Sequence, residues 1–194
     1  IYTTIPPDSG ERSRTINDNE DNNEETKETM KVENSQEEAI EGMIERRETR
    51  KLMKFLDEHC DNEYISCIFD RIFNESISFY LEMCEEGISI NNIVSHHKYG
   101  VYLIYNGVPN QYNEEYCTIM KEAEEHLKIS IEGGHLISYF SLSRLYQDIY
   151  KKYSEAFQYA SEGSDKGEKN CQFLVGYFMT RGIGHHRDFI GGIE

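Results

Sequence analysis

Seven histidines and five cysteines are the side chains through which this 194-residue chain could do chemistry beyond carboxylate acid–base work. Two adjacent pairs, His96-His97 and His185-His186, invite a metal ion, with Cys171 and Asp188 as conceivable further ligands. Neighbours on a helix point about 100° apart, so neither pair converges on one ion by itself. His59-Cys60 sets a base beside a nucleophile, yet residues adjacent in sequence rarely align their two side chains for thiolate formation. Gly182-Ile183-Gly184 with Gly191-Gly192 is glycine-rich, but no strand precedes it and no Lys-Ser or Lys-Thr pair completes a phosphate cradle. The carboxylates offer acid–base groups everywhere, and no apolar pocket singles out a pair. No catalytic residue, metal ligand or cofactor is therefore assigned, and the chain is expected not to be an enzyme.

The elements that carry these residues are set by a pattern that recurs after 33 positions. Gly134, Ser138, Leu142, Ser143 and Tyr146 map onto Gly167, Cys171, Val175, Gly176 and Met179, and Ala123 maps onto Ala156. Size class is kept at each pair, and spacing of i, i+4, i+8 puts these residues on one helical stripe. Each unit reads as a helix closed by glycine followed by a second helix, which is a helical hairpin. A further helix from about Ser76 to Glu86 is expected to end at Gly87 as a left-handed C′ glycine. That copy is offset by 47, with four residues inserted before Ser95 and ten between Leu103 and Ala123. The larger insertion holds Asn106-Gly107-Val108-Pro109-Asn110, a turn-forming cluster, with Asn113 as an N-cap.

Upstream, residues 1–34 carry six apolar residues among Pro, Ser, Asn, Thr and acids, too few to offset the entropy of ordering, so a disordered arm is expected. Asp8 to Glu41 contributes −8 of the formal charge of −16. Residues 35–75 form a helical lead-in, opening on a Ser35/Glu38 capping box. In it Arg46, Arg47, Arg50 and Lys51 interrupt an apolar stripe and read as a solvated helix face. A second stripe follows at Tyr64, Ile65, Ile68, Ile72 and Phe73. Net acidity excludes a simple electrostatic fit to nucleic acid or anionic membrane, leaving protein or peptide partners. No stretch of 18 apolar residues exists to span a bilayer. Five cysteines without CxxC spacing favour reduced thiols, hence the cytoplasm, with the nucleus as the other compartment of that redox poise. The chain lacks an initial methionine and stops inside a hairpin, as expected of a fragment.

Cys171, Val175-Gly176, Met179, Gly182-Ile183-Gly184 and Asp188, with Ser138, Leu142, Ser143, Tyr146, Ala156, Tyr159 and Gly167 before them and Ser95, Tyr99-Gly100, Leu103, Ala123 and Gly134 earlier still, resemble the Sel-one-like repeat, a branch of the tetratricopeptide superfamily. The resemblance spans about residues 76–192. It implies an all-α fold, an α-solenoid of helical hairpins over residues 76–194 with its last repeat truncated. By the same resemblance the chain is a non-catalytic adaptor that grips partner proteins or peptides on a concave face. The family's groove positions fall here on His97, Val101 and Ile104, on Phe140, Arg144 and Gln147, and on Phe173, Tyr177 and Thr180. Two alternatives stand beside it: a regulatory or targeting segment of a larger enzyme such as a kinase, and a metal-dependent helical enzyme.

Overall fold

The computed structural model describes residues 35–106 and 114–184. The expected disordered arm, the turn cluster from Gly107 to Asn113, and the His185, His186, Asp188, Gly191 and Gly192 readings lie outside the described residues. The chain divides into two compact units, residues 1–42 and 43–194. In the first unit the described residues, 35–42, are all helical and open α1, which spans residues 35–45.

The second unit is helical throughout its regular structure, with no strand among the described residues. It contains α2 (Thr49–His59), α3 (Asn62–Glu75), α4 (Ile77–Ser89), α5 (Ile93–Asn106), α6 (Glu114–Glu132), α7 (Ile137–Leu145), a π-helical segment (Tyr146–Tyr150), α8 (Tyr153–Asp165) and α9 (Lys169–Arg181). Side chains that leave the helical pattern start several of these elements. Asp61 caps α3 by accepting from the Tyr64 N–H at 2.8 Å, and Ser76 caps α4 through the Phe79 N–H. Asn92 opens α5: its carbonyl oxygen accepts from Ser95 N–H and Oγ–H at 3.0 and 3.1 Å while its amide donates to Asp57 at 2.7 Å. Each cap satisfies donors that a helix start leaves orphaned.

The helix ends follow one rule. Asn91, Gly134 and Gly167 take positive φ (58°, 91° and 90°), and at each end two N–H groups reach back to carbonyls of the last turn. Asn92 N–H bonds Gly87 O, His135 N–H bonds Ser130 O, and Glu168 N–H bonds Gly163 O. This is the Schellman arrangement, in which a left-handed residue lets the chain satisfy the final carbonyls. Its register corrects the expectation for Gly87. Gly87 is not the closing residue of α4; it sits inside that helix in the place that Ser130 and Gly163 hold in α6 and α8, and Asn91 closes the helix instead. Asn91, Gly134 and Gly167 are spaced by 43 and 33, so the four-residue insertion before Ser95 disappears and only the excess of ten remains, between α5 and α6.

The same small residues mark the close crossings. A Cβ on Gly87 would overlap the Ser95 side chain, one on Gly163 would overlap Cys171 and Tyr139, and Ser130 and Ser138 meet through their hydroxyls at 2.9 Å. One turn further along, Gly100 lies against the Ala123 carbonyl and Ser143 Oγ donates to the Ala156 carbonyl at 2.7 Å. Small residues here let two backbones approach within hydrogen-bonding reach. On α9 the pattern fades: Val175, Gly176 and Met179 are half-buried where Leu142, Ser143 and Tyr146 are buried.

Packing is serial. Strong contacts join α4 to α2, α3 and α5, then α5 to α6, α6 to α7, α7 to α8, and α8 to α9, with lesser ones between α3 and α5, α5 and α7, and α7 and α9. The core between the later helices is built from Met120, Leu127, Leu142, Leu145, Ala156, Ala160, Leu174 and Phe178.

Candidate functional site

Burying Tyr139, Leu142, Ser143 and Tyr146 fixes the rotation of α7, and that rotation turns Phe140, Ser141 and Arg144 toward the adjacent face. There they meet Val101, Ile104 and Tyr105 of α5. Asp148 and Ile149 complete the ring from the π-helical segment, and the cleft so enclosed has a volume of about 110 Å³. Its floor is aliphatic and aromatic. Its polar rim is Ser141 with the Arg144–Asp148 ion pair, Nη2 to Oδ2 at 2.7 Å, both side chains about two-fifths exposed. The widened turn of a π segment changes the phase of the side chains beyond it, which brings Ile149 round to the cleft.

Four of the nine expected groove residues therefore converge: Val101, Ile104, Phe140 and Arg144. Gln147 lines a neighbouring depression that shares Asp148 with the cleft and adds Lys151, Tyr153 and Gly182 to Gly184. Phe173 and Tyr177 are on α9, 76% and 38% exposed, and Thr180 spends its hydroxyl on the Tyr177 carbonyl at 2.9 Å. His97 is corrected outright. It is 7% exposed, with Nδ1 2.9 Å from Ser138 Oγ and its ring edge-on to His135, so it joins helices and faces no groove. Tyr105, Ser141, Asp148 and Ile149 escaped the sequence reading. Tyr105 and Asp148 stand one i+4 step beyond Val101 and Arg144, and Ser141 directly follows Phe140; Ile149 has no helical signal, because its phase depends on the π turn.

The other chemistry-bearing residues are engaged locally. His59 stacks on Phe55 and its Nδ1 lies 2.9 Å from the Phe55 carbonyl, while burial and the neighbouring Asp61 push the Cys60 thiol up. All five cysteines are free, and burial drives Cys84 and Cys171 up to about 12, where the thiolate is scarce. Among the described residues no three His, Cys, Asp or Glu side chains form a metal-binding group. In the basic run, Glu48 accepts from Lys51 and Arg46 at 3.0 and 3.4 Å, and Arg47 lies over the Phe79 ring. No helix among the described residues is long and apolar enough to cross a membrane.

Histidines form a second polar centre, between α5 and the elements that follow it. His96 Nδ1 of α5 is 2.8 Å from His126 Nδ1 of α6, and His97 packs on His135 at 4.9 Å between ring centres. Ser130 Oγ must donate to the Ile93 carbonyl (2.7 Å), so Ser138 donates to Ser130 and His97 Nδ1–H donates to Ser138. That chain fixes the His97 tautomer. Burial holds all four imidazoles below their ordinary range, His97 at about 3.

No protein-family model matches the chain, and a comparison with curated proteins finds none that matches it.

Proposed function

We propose that this chain is a protein-binding adaptor, and that the cleft between α5 and α7 anchors one apolar side chain of an extended partner peptide. The carrying observation is the cleft itself: Val101, Ile104, Phe140 and Ile149 give it an apolar lining, with the Arg144 guanidinium and the Ser141 hydroxyl beside them. At about 110 Å³ it is far below the roughly 300–1,000 Å³ of sites that enclose a small molecule or cofactor, and it suits a single side chain. Arg144 and Ser141 then stand where a peptide backbone or carboxylate would pass.

The solenoid and Sel-one-like reading belongs to this proposal. Serial packing supports it, since stacked hairpins touch only their neighbours along the chain. Recurrence of the Schellman end at Asn91, Gly134 and Gly167, each four residues beyond a small residue at a crossing, supports it as well. A partner acting in the cytoplasm, with no nucleic acid or membrane lipid involved, agrees with the formal charge of −16. The adaptor reading assigns the chain no catalysis and no cofactor.

The test is selection of peptides from a displayed library on the purified chain, followed by titration. Phe140→Ala with Arg144→Ala is expected to weaken the selected peptide at least about tenfold with helicity unchanged, in line with loss of an aromatic and an arginine anchor. Equal affinity in wild type and variant removes the cleft as the anchor.

A further inference from the structure

We infer that the histidine pairs His96/His126 and His97/His135 make the contact between α5 and its neighbours an acid-released joint, which on opening separates the two walls of the peptide cleft. The second half of that statement rests on the cleft reading above; the joint itself does not.

The geometry carries it in three steps. First, α5 supplies both a cleft wall, Val101 and Ile104, and a histidine to each pair. Second, the contacts permit only limited protonation. With the two Nδ1 atoms 2.8 Å apart, one must accept while the other donates, so His96 and His126 can hold one extra proton between them and not two. His97 Nδ1–H is committed to Ser138, so its added proton goes to Nε2, inside a site 7% exposed. Third, Nε2 of His96 and of His135 is buried without a hydrogen-bond partner among the described residues, so charge placed there is poorly compensated.

The surrounding charges do not rescue both pairs. From α5, Lys98 adds to the cost of charging His97 and His135, and its own ammonium is paired with Asp70 of α3. From α4 come the Tyr80 hydroxyl, donated to the Lys98 carbonyl, and the protonated Cys84 thiol. From α6, Glu122 and Glu125 favour charge on His126, and Glu122 also accepts from Tyr99. From α7 the facing group is the Ser138 hydroxyl, already engaged.

The sign follows from linkage. Folded imidazoles held low stay neutral, whereas opened ones protonate near 6.5, so the closed joint is at full strength above about pH 6.5 and weakens as pH falls from there toward the folded value, about 3 for His97. Each histidine freed on opening favours the open form by up to about tenfold per pH unit below 6.5.

Amide hydrogen exchange of the full chain without peptide, corrected for intrinsic rate, is the measurement. Between pH 7 and pH 5, protection of α5 and the start of α7 is expected to fall at least about tenfold, and more than that of α2. His96→Asn with His97→Asn keeps a donor for Ser138 and removes two of the four titrating imidazoles, leaving His126 and His135, so its loss of protection over the same interval is expected to be smaller. Should that variant be misfolded at pH 7, the wild-type imidazole resonances decide. Titration of His97 and His135 near pH 6.5 with α5 still protected overturns the joint, as does protection that does not change with pH. Peptide titration of Phe140→Ala with Arg144→Ala at pH 7 reads the cleft alone, so failure of that reading is seen separately.

Discussion

Gly163 and Gly167 stand four residues apart and are needed for opposite reasons. At Gly163 a Cβ would run into the Cys171 thiol and the Tyr139 Cβ, although its backbone is ordinary helix. At Gly167 nothing lies within 4 Å, but φ is +90°. Gly163→Ala is expected to cost about 1–3 kcal/mol by overpacking, and Gly167→Ala about 1–2 kcal/mol by backbone strain. Denaturant titration separates the two mechanisms: adding Cys171→Ala should recover part of the first loss and none of the second. Equal behaviour of the two double variants would mean that the α8 crossing is looser than the distances indicate. This is also where the sequence misleads. Gly87 looks like a helix stop because glycine serves both as closing residue and as crossing residue, and only the positive φ of Asn91 tells them apart. His97 misleads in the same way: its polarity suggests a groove, and its tie to Ser138 puts it inside.

At the level of elements, periodicity made the helices legible because each has a buried stripe: Ile65, Ile68 and Ile72 on α3, Met120 and Leu127 on α6, Ala156 and Ala160 on α8. Helix limits were legible at Ser76 and at Gly134, whereas the Asp61 cap of α3 was not. The start of α5 was not, since Asn92 follows another asparagine and its role depends on Asp57, 35 residues earlier. Asn92→Ala removes an N-cap and leaves a carboxylate without its amide partner, so a loss of about 1–2 kcal/mol is expected. A melting temperature equal to wild type would show that α5 needs no side chain to begin. The π segment was illegible for a different reason. Tyr146 to Tyr150 keep helical spacing in sequence, and the widened turn is held by tertiary bonds: Tyr150 to the Met120 carbonyl at 3.0 Å and Tyr146 to Glu124 at 2.7 Å. Asp148 and Ile149, two of the eight residues that line the cleft, are placed by that turn.

For the second unit as a whole, formal charge matters more than any one ion pair. Residues 43–194 carry −8, the remainder after the −8 between Asp8 and Glu41, and ion pairs such as Lys54–Glu58 at 3.8 Å are exposed. Exposed pairs contribute little, whereas a shared excess of one sign opposes compaction over a Debye length. Raising sodium chloride from about 10 to about 200 mM shortens that length from roughly 30 Å to under 10 Å, so the melting temperature is expected to rise. A fall would mean that local pairs outweigh the collective repulsion. Serial packing has a mechanical corollary. With no strong contact among the described residues reaching beyond the next-but-one element, tension applied along the second unit is expected to fall on small groups of neighbouring helices in turn. Such a chain gives way in small successive steps, like a row of short springs, instead of rupturing at a single clamp.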